Sequence, residues 1–313
     1  MHHLFLGISP ASLVHAPYIP AVSERLVLNA GDYGLAVQER AELIMLSDIA
    51  GYVGADTCGC LLAIRQDQQE EISLMIDIGT NGEMVLGNRE RMVTCSTAAG
   101  PAFEGAKIEC GMRGAAGAVD HVKYEDGKWN YTTVGNKPAV GLCGSGLIDL
   151  VAGLLDAGML DENGVLRSGQ EKQGVFILVL PERGGNERGV YLTQKDLGEV
   201  QLAKAAIAAG IQMLMERLGI TEDDICSVYI AGAFGNYMDP VSAGKIGLFP
   251  ATLVKKVKPV GNAAGEGAKI ALVNEKEMLE MDELVRKIEF VELAASADFQ
   301  DHFIDELGFE TGE

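Results

Sequence analysis

The sequence contains little positive charge and few aromatic side chains. Lysine and arginine number 25 against 45 aspartates and glutamates, a formal net charge of −20, and aromatic residues make up 6% of the 313 residues. Because an acidic surface repels phosphate backbones, no nucleic-acid partner is expected. The chain has no run of about 18 unbroken apolar residues, and its N-terminus lacks the features of a signal peptide. No membrane partner is predicted either.

Cysteine is scarce and is never spaced as Cys-x-x-Cys. Only Cys58 and Cys60 lie close together in the sequence, and none of the five histidines stands at a metal-ligand spacing beside a cysteine. Scattered cysteines without a secretion signal predict reduced thiols and a cytoplasmic location. Ligation of an iron–sulfur cluster by four cysteines is not encoded in these residues.

Glycine, in contrast, is abundant, with 39 residues, or ~12% of the chain against about 7% on average. Gly-rich turns lie at strand ends or helix starts at 79–82, 143–146, 232–236 and 261–265. A backbone without Cβ approaches phosphate closely and points N–H groups at its oxygens. One such turn alone is more often only structural, but the combination indicates a phosphate-binding cleft. The motif is neither a Walker P-loop nor the Gly-x-Gly-x-x-Gly fingerprint.

The first of these turns follows the clearest strand of the sequence. A polar segment at 65–71 marks a domain boundary, and strands at 72–78, 83–86 and 92–95 predict a three-stranded antiparallel meander. Asn-Gly between two apolar runs is a strong hairpin signal, because both turn positions need φ > 0. Asp77 ends the first strand directly before the turn, which suits a hydrated Mg²⁺ bound through one carboxylate.

Further elements follow from capping and periodicity. Pro101 suits the first position of a helix, and a hairpin is predicted over 117–134 with Asp126-Gly127 at its tip. Helices are predicted over 147–157 and 199–218, each stopped by glycine, and a strand over 227–231 leads into the 232–236 turn.

Several segments carry a resemblance to known proteins. Asp-Ile-Gly-Thr-Asn-Gly-Glu at 77–83 resembles the phosphate motif of the acetate and sugar kinase/Hsp70/actin superfamily (ASKHA). A longer set of segments resembles the reductive activators of corrinoid proteins: 77–83, 96–105, 111–113, 141–146 and 231–236. The resemblance implies an α/β fold of the ribonuclease H-like/actin-like ATPase type, with its first lobe truncated at the N-terminus. Residues 1–70 would be the remainder of the first lobe and 71–313 the second lobe with a C-terminal extension.

In that family, binding and hydrolysis of ATP drive the one-electron reduction of inactive Co(II) corrinoid to Co(I). The resemblance therefore implies ATP and Mg²⁺ as cofactors, a corrinoid protein of a methyltransferase system such as an O-demethylase as partner, and a homodimer. The electron comes from an N-terminal plant-type [2Fe–2S] domain, for which this sequence has no cysteine pattern. Met1 is therefore expected to be an internal start, with the iron–sulfur domain and the first phosphate hairpin upstream.

The resemblance also distributes roles among residues. Asp77 would organise Mg²⁺ through water. The phosphates would meet the first turn, the adenosine would lie near the third, and the cleft would include the start of a helix: Gly79, Thr80, Asn81 and Gly82; Gly232, Ala233, Phe234, Gly235 and Asn236; Gly144, Ser145 and Gly146.

Two acidic residues, Asp56 and Glu104, each allow two interpretations. Asp56 either faces the phosphates from the first lobe or caps a helix. Glu104 is either an acid of the cleft or a charge at a helix start.

Three hypotheses cover the function of the chain. It is the ATPase part of a corrinoid activator, or a module that docks the corrinoid protein and dimerises with nucleotide only as a gate, or a small-molecule kinase of the same superfamily. The kinase is disfavoured because no acceptor site can be named.

Overall fold

The computed structural model describes residues 2–15, 17–167, 174–232, 234–294 and 296–309. The helices are α1 His2–Phe5, α2 Ala55–Ile64, α3 Gly144–Asp156, α4 Gln194–Leu218, α5 Pro240–Lys245, α6 Ala263–Val273, α7 Glu275–Val285 and α8 Ala297–Asp305. The strands are β1 Leu26–Asn29, β2 Glu42–Met45, β3 Ile72–Ile78, β4 Gly82–Gly87, β5 Met92–Thr97, β6 Ala118–Glu125, β7 Lys128–Thr133, β8 Gly141–Leu142, β9 Val175–Val179, β10 Val190–Thr193, β11 Ile225–Ala231, β12 Val257–Gly261 and β13 Glu289–Phe290. Within the described ranges, no helix has both the length and the apolar character needed to span a membrane.

A six-stranded sheet forms the centre of the fold, in the order β12-β11-β3-β4-β5-β13. The predicted meander is confirmed, since β4 pairs antiparallel with both β3 and β5. Strands β3, β11 and β12 are parallel to one another. Their carboxyl ends therefore meet at one edge of the sheet, and the 79–82, 232–236 and 261–265 turns leave from that edge.

Helices cover both faces of this sheet. On one face α4 buries Val200, Ile207 and Ile211 in the larger core. On the other face α2, α6 and α7 enclose a smaller core that includes Leu61 and Met75. Each face thus removes the apolar side chains of the central strands from water, which is why these strands read as nearly continuous apolar runs.

Helices α2 and α6 touch backbone to backbone. A Cβ added to Gly267 would lie 1.8 Å from the carbonyl oxygen of Gly59, and one added to Gly59 would lie 2.7 Å from that of Ala264. Helix α6 begins directly after β12, and α2 ends near the start of β3, where Gln66 Nε2 donates to the Ser73 carbonyl at 2.7 Å. Both helices therefore place their N-termini at the carboxyl edge of the parallel strands.

Two local predictions, one for residues 101–105 and one for the 79–82 turn, are wrong. Residues 101–105 form turns rather than a helix begun by Pro101, and Gly105 there has φ +78° and lies against the backbone of Met112. The hairpin at 79–82 exists, but neither Asn81 nor Gly82 is among the residues with positive φ. Gly82 already belongs to β4, and packing rather than turn conformation requires its glycine, because a Cβ would lie 3.1 Å from Ile207 Cγ1.

The longest helix begins earlier than predicted. Helix α4 starts at Gln194 because Thr193 and Asp196 form a capping box, in which the Thr193 side chain accepts from the Asp196 N–H and the Asp196 carboxylate accepts from the Thr193 N–H. Such a cap satisfies backbone donors that the first helical turn leaves unpaired. The helix ends where predicted, at Gly219 with φ +71°.

A second, smaller sheet has the order β7-β6-β8. The predicted β6–β7 hairpin is confirmed, with Asp126 at φ 52° and Gly127 at φ 75° in its turn. Helix α3 packs along β6, and a Cβ added to Gly146 would lie 2.2 Å from the Val119 carbonyl oxygen.

The segment from Arg25 to Ser47 contains a two-stranded antiparallel sheet, β1 and β2. This segment is held to α7 through one carboxylate. Arg25 Nε lies 2.7 Å from Asp282 Oδ2, and Ser47 Oγ donates to Asp282 Oδ1 at 2.8 Å.

Candidate functional site

The carboxyl ends of β3, β11 and β12 and the first turns of α2 and α6 converge at one edge of the central sheet. The Gly232 N–H donates to the Gly261 carbonyl at 2.9 Å, and the Asn236 side chain lies beside Gly261. These contacts bring the 232–236 and 261–265 turns together. Ligands of sheets with parallel strands bind at the carboxyl ends of those strands, so this edge is the candidate site.

Asp77 lies at the centre of this edge. It is half-buried near the end of β3, and Cys60 Sγ, from α2, lies 3.7 Å from its Oδ2. Burial, and next the Asp56 carboxylate, raise the pKa of Asp77. Gly232 has φ +88°, and a Cβ there would lie 3.1 Å from Asp77 Oδ1. The glycine therefore leaves one face of the carboxylate open to a ligand.

Glu83 is a second carboxylate of the site. The β3–β4 register places Glu83 opposite Asp77, and the β4–β5 register places Ser96 opposite Glu83, so the three side chains form a row across three strands. Ser96 Oγ donates to Glu83 Oε1 at 3.1 Å. Burial raises the pKa of Glu83 to about 7, with smaller contributions of both signs from Ser96, which lowers it, and from the Asp56 and Asp77 charges, which raise it. Glu83 can therefore gain or lose a proton near neutral pH.

Sequence reasoning did not place Glu83 in the site, although its signal was present. A strand–turn–strand pattern with Asp77 before the turn and Glu83 after it puts the two side chains on the same face once the register is known. Cys60 gave no such signal, because its approach to Asp77 depends on how α2 packs.

Asp56 reaches the site from α2. It is the second residue of that helix, behind the N-cap Gly54, so it is not itself the cap. Its Oδ1 accepts the Thr57 N–H at 2.9 Å, and its exposed charge contributes to raising the pKa of both Asp77 and Glu83. The carboxylate therefore lies close to the row of acidic side chains.

The first turn contacts the segment after β5. Thr80 Oγ1 donates to Glu104 Oε1 at 2.6 Å, and both side chains are exposed. The Gly79 N–H donates to the Asn81 carbonyl at 2.9 Å and closes the turn. Glu104 cannot be a charge at a helix start, because the segment that contains it is a run of turns.

The start of α3 is buried, whereas the resemblance implied that it belongs to the nucleotide cleft. Gly144, Ser145 and Gly146 are all buried, and Ser145 Oγ donates to the Asp120 carbonyl at 2.8 Å. None of the contacts in the described part of the chain joins these three residues to Asp77. In the third turn, Gly235 is buried against Ile230, Phe234 and Asn236 belong to a short 3-10 helix, and Ala233 lies outside the described residues.

The donor set suits Mg²⁺ bound together with phosphate better than a metal held by protein alone. Across the described ranges, no group of three or more His, Cys, Asp or Glu side chains is placed to hold a metal ion. Mg²⁺ keeps several waters and is bound through one or two carboxylates plus phosphate oxygens. Asp77 can supply such a carboxylate, and the N-termini of α2 and α6 supply the positive ends of two helix dipoles.

Two family models match the chain. The C-terminal domain of RACo, the ASKHA domain, matches residues 71–313, and the RACo middle region matches residues 1–69. The chain belongs to the RACo family. Its fold is accordingly that of an actin-like ATPase domain of mixed α/β architecture, which confirms the fold that the family resemblance implied.

Similar proteins of this RACo family include two curated relatives. The chain is 35% identical over 319 residues to the corrinoid activation enzyme RamQ of Eubacterium limosum, and the match covers 97% of this chain and 54% of RamQ. It is 29% identical over 303 residues to the Co(II) methylated amine-specific corrinoid protein reductase of Methanosarcina barkeri, covering 89% and 54% of the two proteins. The chain therefore spans about half the length of these relatives.

A solved structure shows the same fold over nearly the whole chain. A reductive activator for corrinoid, iron–sulfur protein superposes with a TM-score of 0.91 at 38% sequence identity, over 99% of this chain and 51% of that one. The relatives are thus corrinoid activators, and the suspected resemblance is confirmed at the level of the family.

Proposed function

We propose that this chain is the part of a corrinoid activator that binds and hydrolyses ATP, and that hydrolysis drives reduction of an inactive Co(II) corrinoid protein to Co(I). The observation that carries the proposal is the pair of carboxylates, Asp77 and Glu83, at the edge where three parallel strands end and two helices begin. The names of the relatives support a corrinoid protein as the substrate, and we propose that this corrinoid protein belongs to a methyltransferase system.

In this proposal each residue has a stated task. Asp77 holds Mg²⁺ through water, and Mg²⁺ when bound neutralises charge on the phosphates. Backbone N–H groups of the 79–82 turn and of the α2 and α6 N-termini orient the phosphate oxygens. Glu83 accepts the proton of the attacking water at its carboxylate, for which a pKa of about 7 is well matched to neutral pH.

The architecture is proposed in the same terms. Residues 1–70 are the remainder of a first actin-like lobe and 71–313 the second lobe. The boundary between the two family models, at 69 and 71, supports this division. Helix α2 belongs by sequence to the first part but packs on the sheet of the second. We propose that the electron enters from a [2Fe–2S] domain outside these residues, and that the protein acts as a cytoplasmic homodimer.

Calorimetric titration with Mg-ATP tests the site. Asp77→Asn should weaken binding at least tenfold, because the amide cannot replace the charged ligand. Asp223→Asn, an exposed acid on the short 3-10 helix before β11, is the matched control and should bind as the wild type does. Equal affinity of the Asp77→Asn protein and the wild type would remove Asp77 from the phosphate site.

A hydrolysis assay, run beside the binding titration, separates an effect on ATP binding from an effect on the catalytic step. Glu83→Gln should leave Mg-ATP affinity within about threefold and lower the rate of phosphate release on the order of 10²-fold or more, which is the usual contribution of a positioned proton acceptor. The wild-type rate should rise with pH through about 7, as Glu83 loses its proton. A Glu83→Gln protein that hydrolyses ATP at the wild-type rate would show that another group takes the proton.

A docking and dimerisation module with nucleotide only as a gate is the second candidate. The first 52 residues favour it, since apolar side chains there are unusually exposed: Leu4, Phe5, Val14, Ile19, Val27, Leu35, Val37 and Tyr52. This candidate predicts nucleotide binding that changes the dimer equilibrium without phosphate release. Sedimentation analysis with and without Mg-ATP, run beside the hydrolysis assay, distinguishes the two.

A further inference from the structure

The two oxygens of Asp77, at the centre of the candidate site, have different surroundings. Cys60 Sγ lies 3.7 Å from Oδ2, whereas Oδ1 faces Gly232, where an added Cβ would lie 3.1 Å from it. Among the side chains that the structure describes, the Cys60 thiol is the donor of this carboxylate and no other reaches it. One oxygen is thus held from inside the protein, and the other lies beside the open face of the glycine.

The orientation of the Asp77 carboxylate is not fixed by its own torsions. The terminal torsion of an aspartate side chain is broad, so the plane of the carboxylate turns easily. The Asp56 charge adds repulsion, since it contributes to raising the pKa of Asp77. A donor at a fixed position therefore selects one orientation among several.

Asp56 and Cys60 reach Asp77 from one face of α2. They are four residues apart, and positions i and i+4 are neighbours on a helix. Cys58, two residues from Cys60, is equally buried, but its Sγ donates to the Ser47 carbonyl at 3.0 Å. The two buried thiols of this helix thus have different partners, and the thiol of Cys60 is the one that contacts the site.

Backbone packing fixes the position of the Cys60 thiol. The residue before it, Gly59, lies so close to α6 that an added Cβ would be 2.7 Å from the Ala264 carbonyl oxygen. Because close-packed backbones leave no space for a shift of α2 towards α6, the fold itself sets the distance between Sγ and Asp77 Oδ2.

The Cys60 thiol is suited to orient a carboxylate without neutralising it. Burial, and next the Asp77 charge, raise the pKa of this thiol, so it keeps its proton and donates. A thiol is a weak donor, which leaves the negative charge of Asp77 available to a cation. Cysteine also packs as a small apolar side chain, and Cys60 belongs to the smaller core.

We infer that Cys60 is a positioning residue of the candidate site, whose thiol donates to Asp77 Oδ2 and so presents Oδ1 on the side of Gly232, where it holds the water shell of Mg²⁺. This inference rests on the proposed function, to which it adds the residue that orients the carboxylate. Hydrogen bonds behind a metal ligand fix its orientation, and losing one costs about 10–100-fold in metal affinity. The thiol itself contacts neither Mg²⁺ nor phosphate.

Infrared spectroscopy of the S–H stretch tests the contact without a ligand. A hydrogen bond lowers the S–H frequency, and a charged acceptor lowers it most. The band that disappears in Cys60→Ala belongs to Cys60, and Asp77→Asn should move this band to higher frequency. The band that disappears in Cys58→Ala should lie at the same frequency in the wild type and in Asp77→Asn, because that thiol donates to a backbone carbonyl.

Calorimetric titration with Mg-ATP tests the positioning. Cys60→Ala should weaken binding about tenfold, at the lower end of the range because a thiol is a weak donor. Cys58→Ala removes an equally buried thiol from the same helix and should bind as the wild type does. Cys60→Ser restores a donor and should recover most of the affinity. In the presence of EDTA, ATP should bind equally to the wild type and to Cys60→Ala, because Asp77 acts through Mg²⁺.

The failure of this inference is distinct from that of the proposed site. A Cys60 band that Asp77→Asn leaves unmoved, or equal Mg-ATP affinities of Cys60→Ala and Cys58→Ala, would overturn the positioning role. Wild-type affinity in Asp77→Asn would overturn the phosphate site instead, and the infrared comparison would still decide whether the thiol bonds to Asp77. Cys60→Val, a second variant without a donor, takes the place of Cys60→Ala if circular dichroism shows that the alanine variant is unfolded.

Discussion

Glu83→Gln offers a test of the candidate site that needs no ligand. In the folded chain burial raises the pKa of Glu83 to about 7 from an ordinary value of 4.5. A carboxyl group whose pKa is raised on folding stabilises the folded state most when it is protonated. Its contribution is therefore fully present below about pH 4.5 and is lost as pH rises through about 7.

The size of the effect follows from the same shift. At 1.36 kcal/mol per pKa unit, the shift corresponds to ~3 kcal/mol of stability between the fully protonated and fully ionised forms. Glutamine stays neutral at every pH and keeps similar shape. The difference in unfolding free energy between the variant and the wild type should therefore shift by ~2 kcal/mol in favour of the variant when the pH is raised from about 5 to about 8.

Urea unfolding followed by circular dichroism at both pH values measures this difference. Other ionisable groups are common to both proteins, so their titration largely cancels in the comparison. Glu90→Gln, an exposed acid in the next turn, is the matched control and should show no pH-dependent difference from the wild type. A Glu83→Gln stability difference that is the same at both pH values would refute the assignment of a raised pKa to this carboxyl.

Three glycines give further predictions. Gly232→Ala should weaken Mg-ATP binding several-fold, measured by calorimetry, because its φ of +88° strains alanine and the new Cβ would lie 3.1 Å from Asp77 Oδ1. Gly267→Ala should lower the unfolding free energy by ~3 kcal/mol or prevent folding, because its Cβ would lie 1.8 Å from the Gly59 carbonyl oxygen. Gly198→Ala in α4 has open space around it and should instead stabilise by ~0.5–1 kcal/mol, as urea unfolding would show.

Elements whose signals are local were predictable from the sequence. The β3–β4–β5 meander and the Asp126-Gly127 hairpin follow from alternation and turn residues that act over a few positions. The start of α4 was missed although Thr193 and Asp196 carry a capping signature, because the apolar periodicity used to find the helix begins later.

Other features depend on contacts between distant segments. A sequence shows Gly82 beside Asn81 and so predicts a turn with positive φ, but packing against Ile207 is what requires that glycine. Pro101 looks like a helix start, but the chain there is turned back towards Met112. Likewise, Asp56 and Cys60 approach Asp77 only because α2 packs on the sheet, and this packing has no local signal in the sequence.

The backbone contact between α2 and α6 has a mechanical consequence. Where helices meet through side chains, rotamer changes can absorb a small displacement, but two glycine backbones in contact leave nothing between them to yield. Helix α2 is also tied to α7 by the Arg65–Glu277 ion pair, and α7 holds Arg25 and Ser47. Helices α2, α6 and α7 are therefore expected to move together. A displacement of the first turn of α2 or α6 would then be transmitted to the β1–β2 segment.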